Sequence, residues 1–99
     1  MADLKLHNNP LVSIITLNYN QVEITCQFLE STKKLLYTNY EIIVCDMNSS
    51  INPSEKIQAL KIPNTIILLS KTNLGFSAGN NWGMKHAKGD YFFIVNNDT

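Results

Sequence analysis

The sequence predicts an α/β fold, an open and mostly parallel sheet with helices on both faces. Three observations carry this. Four short runs rich in β-branched and aliphatic residues, at 12–17, 41–45, 65–69 and 91–95, start roughly 25 to 30 residues apart, the repeat of a strand-helix unit. Helix-forming segments lie between them. A polar loop follows each run. Three of the runs, VSIITL, EIIVC and TIILL, are apolar on both faces, which predicts central parallel strands covered from each side.

The first helix is predicted over 22–36. It places Val22, Cys26, Leu29 and Leu36 along one stripe, with Phe28 and Leu35 beside it. Glu23, Gln27, Glu30, Lys33 and Lys34 occupy the opposite face, the pattern of a helix lying on a sheet. The second helix has a start signal: Asn52 as N-cap, Pro53 at the first helical position and Glu55 completing a capping box, with an end before Pro63. The third, over 76–87, is expected to close at Gly89 in the left-handed conformation. It contains Gly79 and Gly83, each costing up to ~1 kcal/mol relative to Ala, so close packing against a backbone or a ligand is expected. The order β-α-β-α-β-α-β with right-handed crossovers amounts to half of a doubly wound domain.

Composition excludes several classes. Of 99 residues 44% are hydrophobic and 16% charged, too apolar a balance for a disordered chain. The longest apolar runs fall far short of the ~20 residues of a transmembrane segment. Eight Lys without Arg balance eight acidic residues, so a nucleic-acid binder, which needs a basic surface, is not expected. Cys26 and Cys45 lie apart among apolar neighbours and read as buried, reduced thiols. Residues 1–10 show no signal peptide and read as an N-terminal extension, so a cytoplasmic location is expected. There is no Walker loop, no GxGxxG and no GxSxG, and His7 and His86 have no partner at a metal-ligand spacing.

Ligands of open parallel sheets bind beyond the carboxyl ends of the strands. Those ends are followed here by Asn18-Tyr19-Asn20-Gln21, Asp46-Met47-Asn48-Ser49-Ser50, Ser70-Lys71-Thr72-Asn73-Leu74-Gly75 and Asn96-Asn97-Asp98-Thr99. Six of the thirteen Asn fall in these segments, and Asn80 and Asn81 lie in the third helix. Any single loop reads as turns and caps. Four arriving at one edge read as a binding site, in which Tyr19 offers a flat face for stacking.

VSIITLNYN, EIIVCDMNSS, NLGFSAGNNWG and HAKGDYFFIVNNDT, in that order, resemble the N-terminal half of a family 2 glycosyltransferase of the GT-A fold. The run from Asn73 to Thr99 is similar to the rhamnosyltransferase-like branch. The resemblance implies a Rossmann-like, nucleotide-sugar-binding half at 11–99. Tyr19 and Asn20 would lie against the nucleobase, Asp46 would contact base or ribose, and Asn73 and Gly75 would approach the ribose. Asn48, Asn80 and Asn97 join this donor set. Met47 stands where many members carry Asp or Asn. Asn96-Asn97-Asp98 occupies the family's Asp-x-Asp position, so Asp98 would be the metal ligand for Mg²⁺ or Mn²⁺, with Asn96 at most a neutral oxygen. The cation would neutralise the diphosphate leaving group as a Lewis acid.

The resemblance further implies inverting transfer to an acceptor hydroxyl of a glycan, polysaccharide or lipid-linked intermediate. The base lies C-terminal to the metal motif, so the 99 residues are expected to be inactive alone. The full-length protein would be cytoplasmic or peripheral to the inner membrane. The competing reading is a non-catalytic nucleotide-binding or interaction module. A receiver-like signalling domain would need acidic residues after the first strand, and Asn18-Tyr19-Asn20 supplies none. Self-association is expected through the truncated sheet edge beside the fourth strand.

Overall fold

In the computed structural model, which describes residues 9–96, all seven elements form in the expected order. They are β1 (Val12–Asn18), α1 (Val22–Thr32), β2 (Tyr40–Asp46), α2 (Ser54–Ala59), β3 (Thr65–Leu69), α3 (Phe76–His86) and β4 (Tyr91–Ile94). Every strand pair is parallel, in the order β3-β2-β1-β4. The chain steps outward from β1 to β3, then crosses back to lay β4 on the other side of β1. That reversal makes the gap between β1 and β4 the switch point of the sheet.

Alternation along the two central strands divides the apolar residues between two cores. Ile14, Ile42 and Val44 pack with Leu29 of α1 and Ile57 of α2. Ile15, Ile43, Cys45 and Met47 point to the other face, where Trp82 and Met84 of α3 join them. Each fully buried aliphatic side chain contributes about 1.5–3 kcal/mol. The glycines of α3 answer to this second core. A Cβ on Gly83 would lie 2.7 Å from Cys45 Sγ and 2.9 Å from Ile15 Cγ2. One on Gly79 would lie 2.9 Å from Met47 Sδ and 3.2 Å from Leu17. The expected close approach is therefore to side chains of β1 and β2. Burial pushes the Cys45 thiol up to about 12, which keeps it protonated and inert; both cysteines are free thiols.

Four expectations are corrected. β3 is an edge strand, with Ile66 and Leu69 exposed, so only β1 and β2 are covered on both faces. α1 ends at Thr32, and Leu36 is 97% exposed. The hydroxyls of Ser31 and Thr32 donate to the carbonyls of Phe28 and Leu29, and three successive i→i−3 bonds tighten the chain from Lys33 to Leu35. α2 starts one residue later than expected, with Pro53 rather than Asn52 at the N-cap; Asn52 Oδ1 accepts the Ser54 N–H at 2.8 Å, and among the described residues no bond from Glu55 completes a capping box. α3 closes on Ala87 in an extended conformation, and Gly75, not Gly89, is the glycine with positive φ.

Gly89 is needed for a different reason. A Cβ there would meet Ser13 N at 2.8 Å and the Leu11 carbonyl at 2.9 Å. The α3–β4 turn is held against the amino ends of β1 and β2 by the buried carboxylate of Glu41. Its Oε2 accepts from Ser13 Oγ (2.5 Å) and from Lys88 N–H (2.7 Å), while Ser13 Oγ accepts from Gly89 N–H (2.9 Å). Among the described residues no helix is long and apolar enough to cross a membrane.

Gly83→Ala is expected to cost about 1–3 kcal/mol, because the added methyl overpacks a rigid contact. Urea denaturation reads this as a lower midpoint at unchanged slope.

Candidate functional site

The carboxyl ends of β1 and β2 are tied into one polar knot. Asn18 and Asp46 are register partners on the sheet. Both side chains are buried on the α1 side. Asn18 Nδ2 donates to Asp46 Oδ1 at 2.8 Å, and Thr25 Oγ1 of α1 donates to Asn18 Oδ1. Ser49 closes the knot, its Oγ donating to Asp46 Oδ1 (2.6 Å) and its N–H to Oδ2 (3.0 Å). The loop after β1 is then laced to the loop after β2. Asn20 N–H donates to Ser49 Oγ and Ser50 N–H donates to Asn20 Oδ1, both at 2.8 Å.

Asp46 also has a structural part: both of its oxygens are engaged within the protein and the residue is 3% exposed, so it ties the two loops together. A carboxylate buried this way needs several donors around it, and Asn18 and Ser49 supply them. What the knot presents outward is Tyr19, 48% exposed, flanked by Asn20 and Asn48, which hold φ of 53° and 71°. Asn tolerates the left-handed region better than most residues, which accounts for its use at both positions. A cavity of about 380 Å³ opens beside them, lined by Asn18, Asn20, Val22, Ser49 and Pro53 among others.

The third loop is tied on by its backbone, Ser70 N–H donating to the Asp46 carbonyl at 2.9 Å. Asn73 Oδ1 accepts the Gly75 N–H at 3.0 Å, so its carboxamide oxygen shapes the loop. Gly75 then turns through φ 84° into α3, a conformation that favours glycine. Asn80, one turn into α3, is 3% exposed, and neither its Nδ2 nor its Oδ1 has a hydrogen-bond partner. Orphaned buried amides are uncommon. Asn96 follows the last residues of β4 and is exposed at the same edge. Asn97 and Asp98 lie outside the described residues. Among the described residues no three His, Cys, Asp or Glu side chains converge as a metal site.

The structure thus brings Tyr19, Asn20, Asp46 and Asn48 into one cluster, with Asn73, Gly75 and Asn80 across the same edge. Sequence reasoning missed Thr25 and Ser49 as parts of the knot. Ser49 had a local signal, a hydroxyl three residues after a strand-end Asp; Thr25 had none apart from the register of β1 on β2. Glu41 was also missed, though a Glu inside a buried strand is itself a signal.

Known proteins resemble this chain in sequence and in fold. Residues 13–99 match the family model described as glycosyl transferase family 2. The uncharacterized glycosyltransferase YwdF of Bacillus subtilis is 33% identical over 88 residues, covering 88% of this chain and 32% of the relative. UDP-Glc:alpha-D-GlcNAc-diphosphoundecaprenol beta-1,3-glucosyltransferase WfgD of Escherichia coli is 30% identical, covering 89% and 35%. Among solved structures, the Pyrobaculum calidifontis mannosyltransferase PcManGT in complex with GDP-Man and Mn²⁺ superposes with a TM-score of 0.82 at 21% identity, over 91% of this chain and 28% of that one. S. aureus TarS 1-349 in complex with UDP-GlcNAc gives 0.79 at 23%, over 88% and 26%. The chain therefore spans about a third or less of the proteins it resembles.

Asp46→Ala removes the acceptor for three hydrogen bonds and leaves Asn18 and Ser49 with unpaired donors. A loss of about 1.5–3 kcal/mol is expected, read as a lower midpoint in chemical denaturation.

Proposed function

The chain belongs to glycosyl transferase family 2, and from that premise we propose that it forms the donor half of an inverting sugar transferase using a nucleotide-diphosphate sugar. The observation that carries this reading is the convergence of polar strand ends at one carboxyl edge, with an exposed Tyr19 over the Asp46 knot. Tyr19 stacks the nucleobase, and Asn20 and Asn48 frame it. Asp46 acts through Asn18 and Ser49 by fixing the two loops. Asn73 and Gly75 carry the chain past the ribose, and Asn80 and Asn97 complete the donor set.

The metal reading rests on the chemistry of the donor atoms after β4. Asn96 offers a neutral oxygen at the carboxyl edge, and Asp98 would add a carboxylate, a hard set suited to Mg²⁺ or Mn²⁺ when phosphate oxygens fill the remaining positions. Such a cation supplies Lewis-acid neutralisation of the leaving diphosphate. The complex of PcManGT with GDP-Man and Mn²⁺ supports both donor and metal. The name of WfgD supports a lipid-linked acceptor, which would bring the full-length enzyme to the cytoplasmic side of the inner membrane; a glycan or polysaccharide acceptor uses the same donor half. The base that deprotonates the acceptor belongs to the part of the relatives beyond residues 11–99, so these residues constitute a domain half that binds donor without transferring it.

Thermal denaturation against a panel of nucleoside diphosphates, with and without Mn²⁺, tests the donor reading. At least one is expected to stabilise the chain, by about 2.7 kcal/mol at a hundredfold excess over Kd, and more with Mn²⁺ than without. Stabilisation by none of them would overturn it.

β4, an edge strand, exposes Tyr91 (64%) and Phe93 (58%) on one face and Phe92 (46%) and Ile94 (40%) on the other, which supports self-association through this surface. Sedimentation velocity at tens of micromolar is expected to show a dimer or larger species; a clean monomer would refute the idea.

A further inference from the structure

We propose that the outer edge of β3 is a pairing site for a second copy of this chain, joined antiparallel about a two-fold axis beside Ile67. This goes beyond the donor reading, does not depend on it, and concerns the sheet edge opposite β4.

β3 is hydrogen-bonded on one side only, to β2. That ladder begins with Ile42 N–H, which donates to the Asn64 carbonyl at 2.8 Å, and ends with Ser70 N–H, which donates to the Asp46 carbonyl at 2.9 Å. In a parallel ladder alternate residues of a strand bond to the same neighbour. Ile66 and Leu68 therefore direct their backbone groups to β2, and Thr65, Ile67 and Leu69 turn theirs outward. Among the described residues no backbone group bonds to these outward N–H and C=O groups.

Sheet edges are commonly protected by a charge, a proline or a bulge within the strand. β3 has none of these. Thr65-Ile66-Ile67-Leu68-Leu69 is uncharged, its register on β2 is continuous, and Lys61, Pro63 and Lys71 lie beyond its ends. α3 packs mainly on β1 and β2, and Ile66, on that face of the sheet, is 39% exposed. Leu69, on the other face, is 47% exposed.

The occupant follows from symmetry. The outward residues are evenly spaced about Ile67, so a second copy laid antiparallel on the edge satisfies all of them at once. Ile67 faces the partner's Ile67 and Thr65 faces the partner's Leu69, each pair exchanging both backbone bonds. Ile66 faces the partner's Leu68 on the α3 side. Every directly opposed pair is then uncharged, and no like charges meet within the strand. The contact is isologous, the same patch serving both copies, so it closes at a dimer. The two carboxyl edges point in opposite directions, which leaves Tyr19 and its loops open in both copies. An edge of 5 residues buries less than the ~1,200 Å² of a standard stable complex, so the dimer is weak and reversible.

Residue-resolved amide exchange reads this pairing directly. Between about 50 µM and about 1 mM chain, exchange at Thr65, Ile67 and Leu69 is expected to slow about twofold or more, while Ile66 and Leu68 are protected at both concentrations. In a mixture of labelled and unlabelled chains, an Hα–Hα contact between Ile66 and the partner's Leu68 is expected; a contact in another register would overturn the two-fold assignment. Leu69→Pro removes an outward N–H at an edge position that tolerates proline and leaves the bonds to β2 in place. It is expected to weaken self-association about fivefold or more and to abolish the concentration dependence at Thr65 and Ile67. Should this variant not fold, exchange in the wild type decides alone. Concentration-independent exchange at Thr65, Ile67 and Leu69 would overturn the proposal, whether fast, from a free edge, or slow, from an edge covered within one chain. A sedimenting mass that rises while these three amides do not change would assign the association to another surface, β4 included, and overturn it likewise.

Discussion

The pairing of β1 with β2 is the constraint on which the rest of the structure depends, and it is fixed by a buried polar pair at each end. Ser13 faces Glu41 and Asn18 faces Asp46 in register, and each pair is joined by a side-chain hydrogen bond. Between them run Ile14–Leu17 and Ile42–Cys45, apolar on both faces apart from Thr16. Such strands discriminate poorly against a one-residue slip, because either face of the sheet accepts aliphatic side chains. A slip would separate both carboxylates from their donors while keeping them buried, and that cost opposes it. The apolar residues thus provide the stability of the sheet and the polar pairs provide its uniqueness.

The two pairs also divide the labour along the strands. At the carboxyl end the Asp46 side organises the loops after β1, β2 and β3 around one carboxylate and one carbonyl. At the amino end the Glu41 side holds the turn that feeds β4, helped by Asp90, whose carboxylate accepts from Leu11 N–H and whose N–H donates to the Leu11 carbonyl. Among the described residues β4 is exposed on both faces and pairs with β1 alone. Its position, and with it the position of Asn96, is therefore set by the β1 ladder and by this anchor at the far end. Hydrogen bonds at the edge away from the candidate site help decide where the site's last segment lies.

The sheet, its parallel order and the count of helices were legible because the apolar runs, their pitch and the helical stripes are local signals. The ends of elements were not. Leu36 continues the stripe of α1 on paper, but the hydroxyls of Ser31 and Thr32 compete for the last carbonyls and the helix stops first. The site was legible as a place and less so as a set of contacts. A strand-end Asp reads alike whether it faces a ligand or ties loops together; the difference lies in whether an Asn stands opposite in register, and register is invisible within one strand. The asparagine excess divides in the same way. Asn20, Asn48 and Asn64 occupy positive φ, Asn52 and Asn73 accept from the backbone two residues on, and Asn18 and Asn80 are buried. Much of the excess therefore shapes the edge that the remainder would use.

The charge at that edge bears on how a diphosphate would be held. Its described loop segments carry one acidic side chain, Asp46, and one basic side chain, Lys71. Asp46 is buried among donors, so its field toward solvent is softened without being cancelled. One exposed lysine does not neutralise a diphosphate, and the chain has no arginine to clamp it. Positive potential at this edge is then not supplied by its described side chains. Under the proposed function a divalent cation would supply it, neutralising charge as it develops on the leaving group. The described loop segments fit that division, because they are polar and mostly uncharged and shape the edge through hydrogen bonds and left-handed turns rather than through charge.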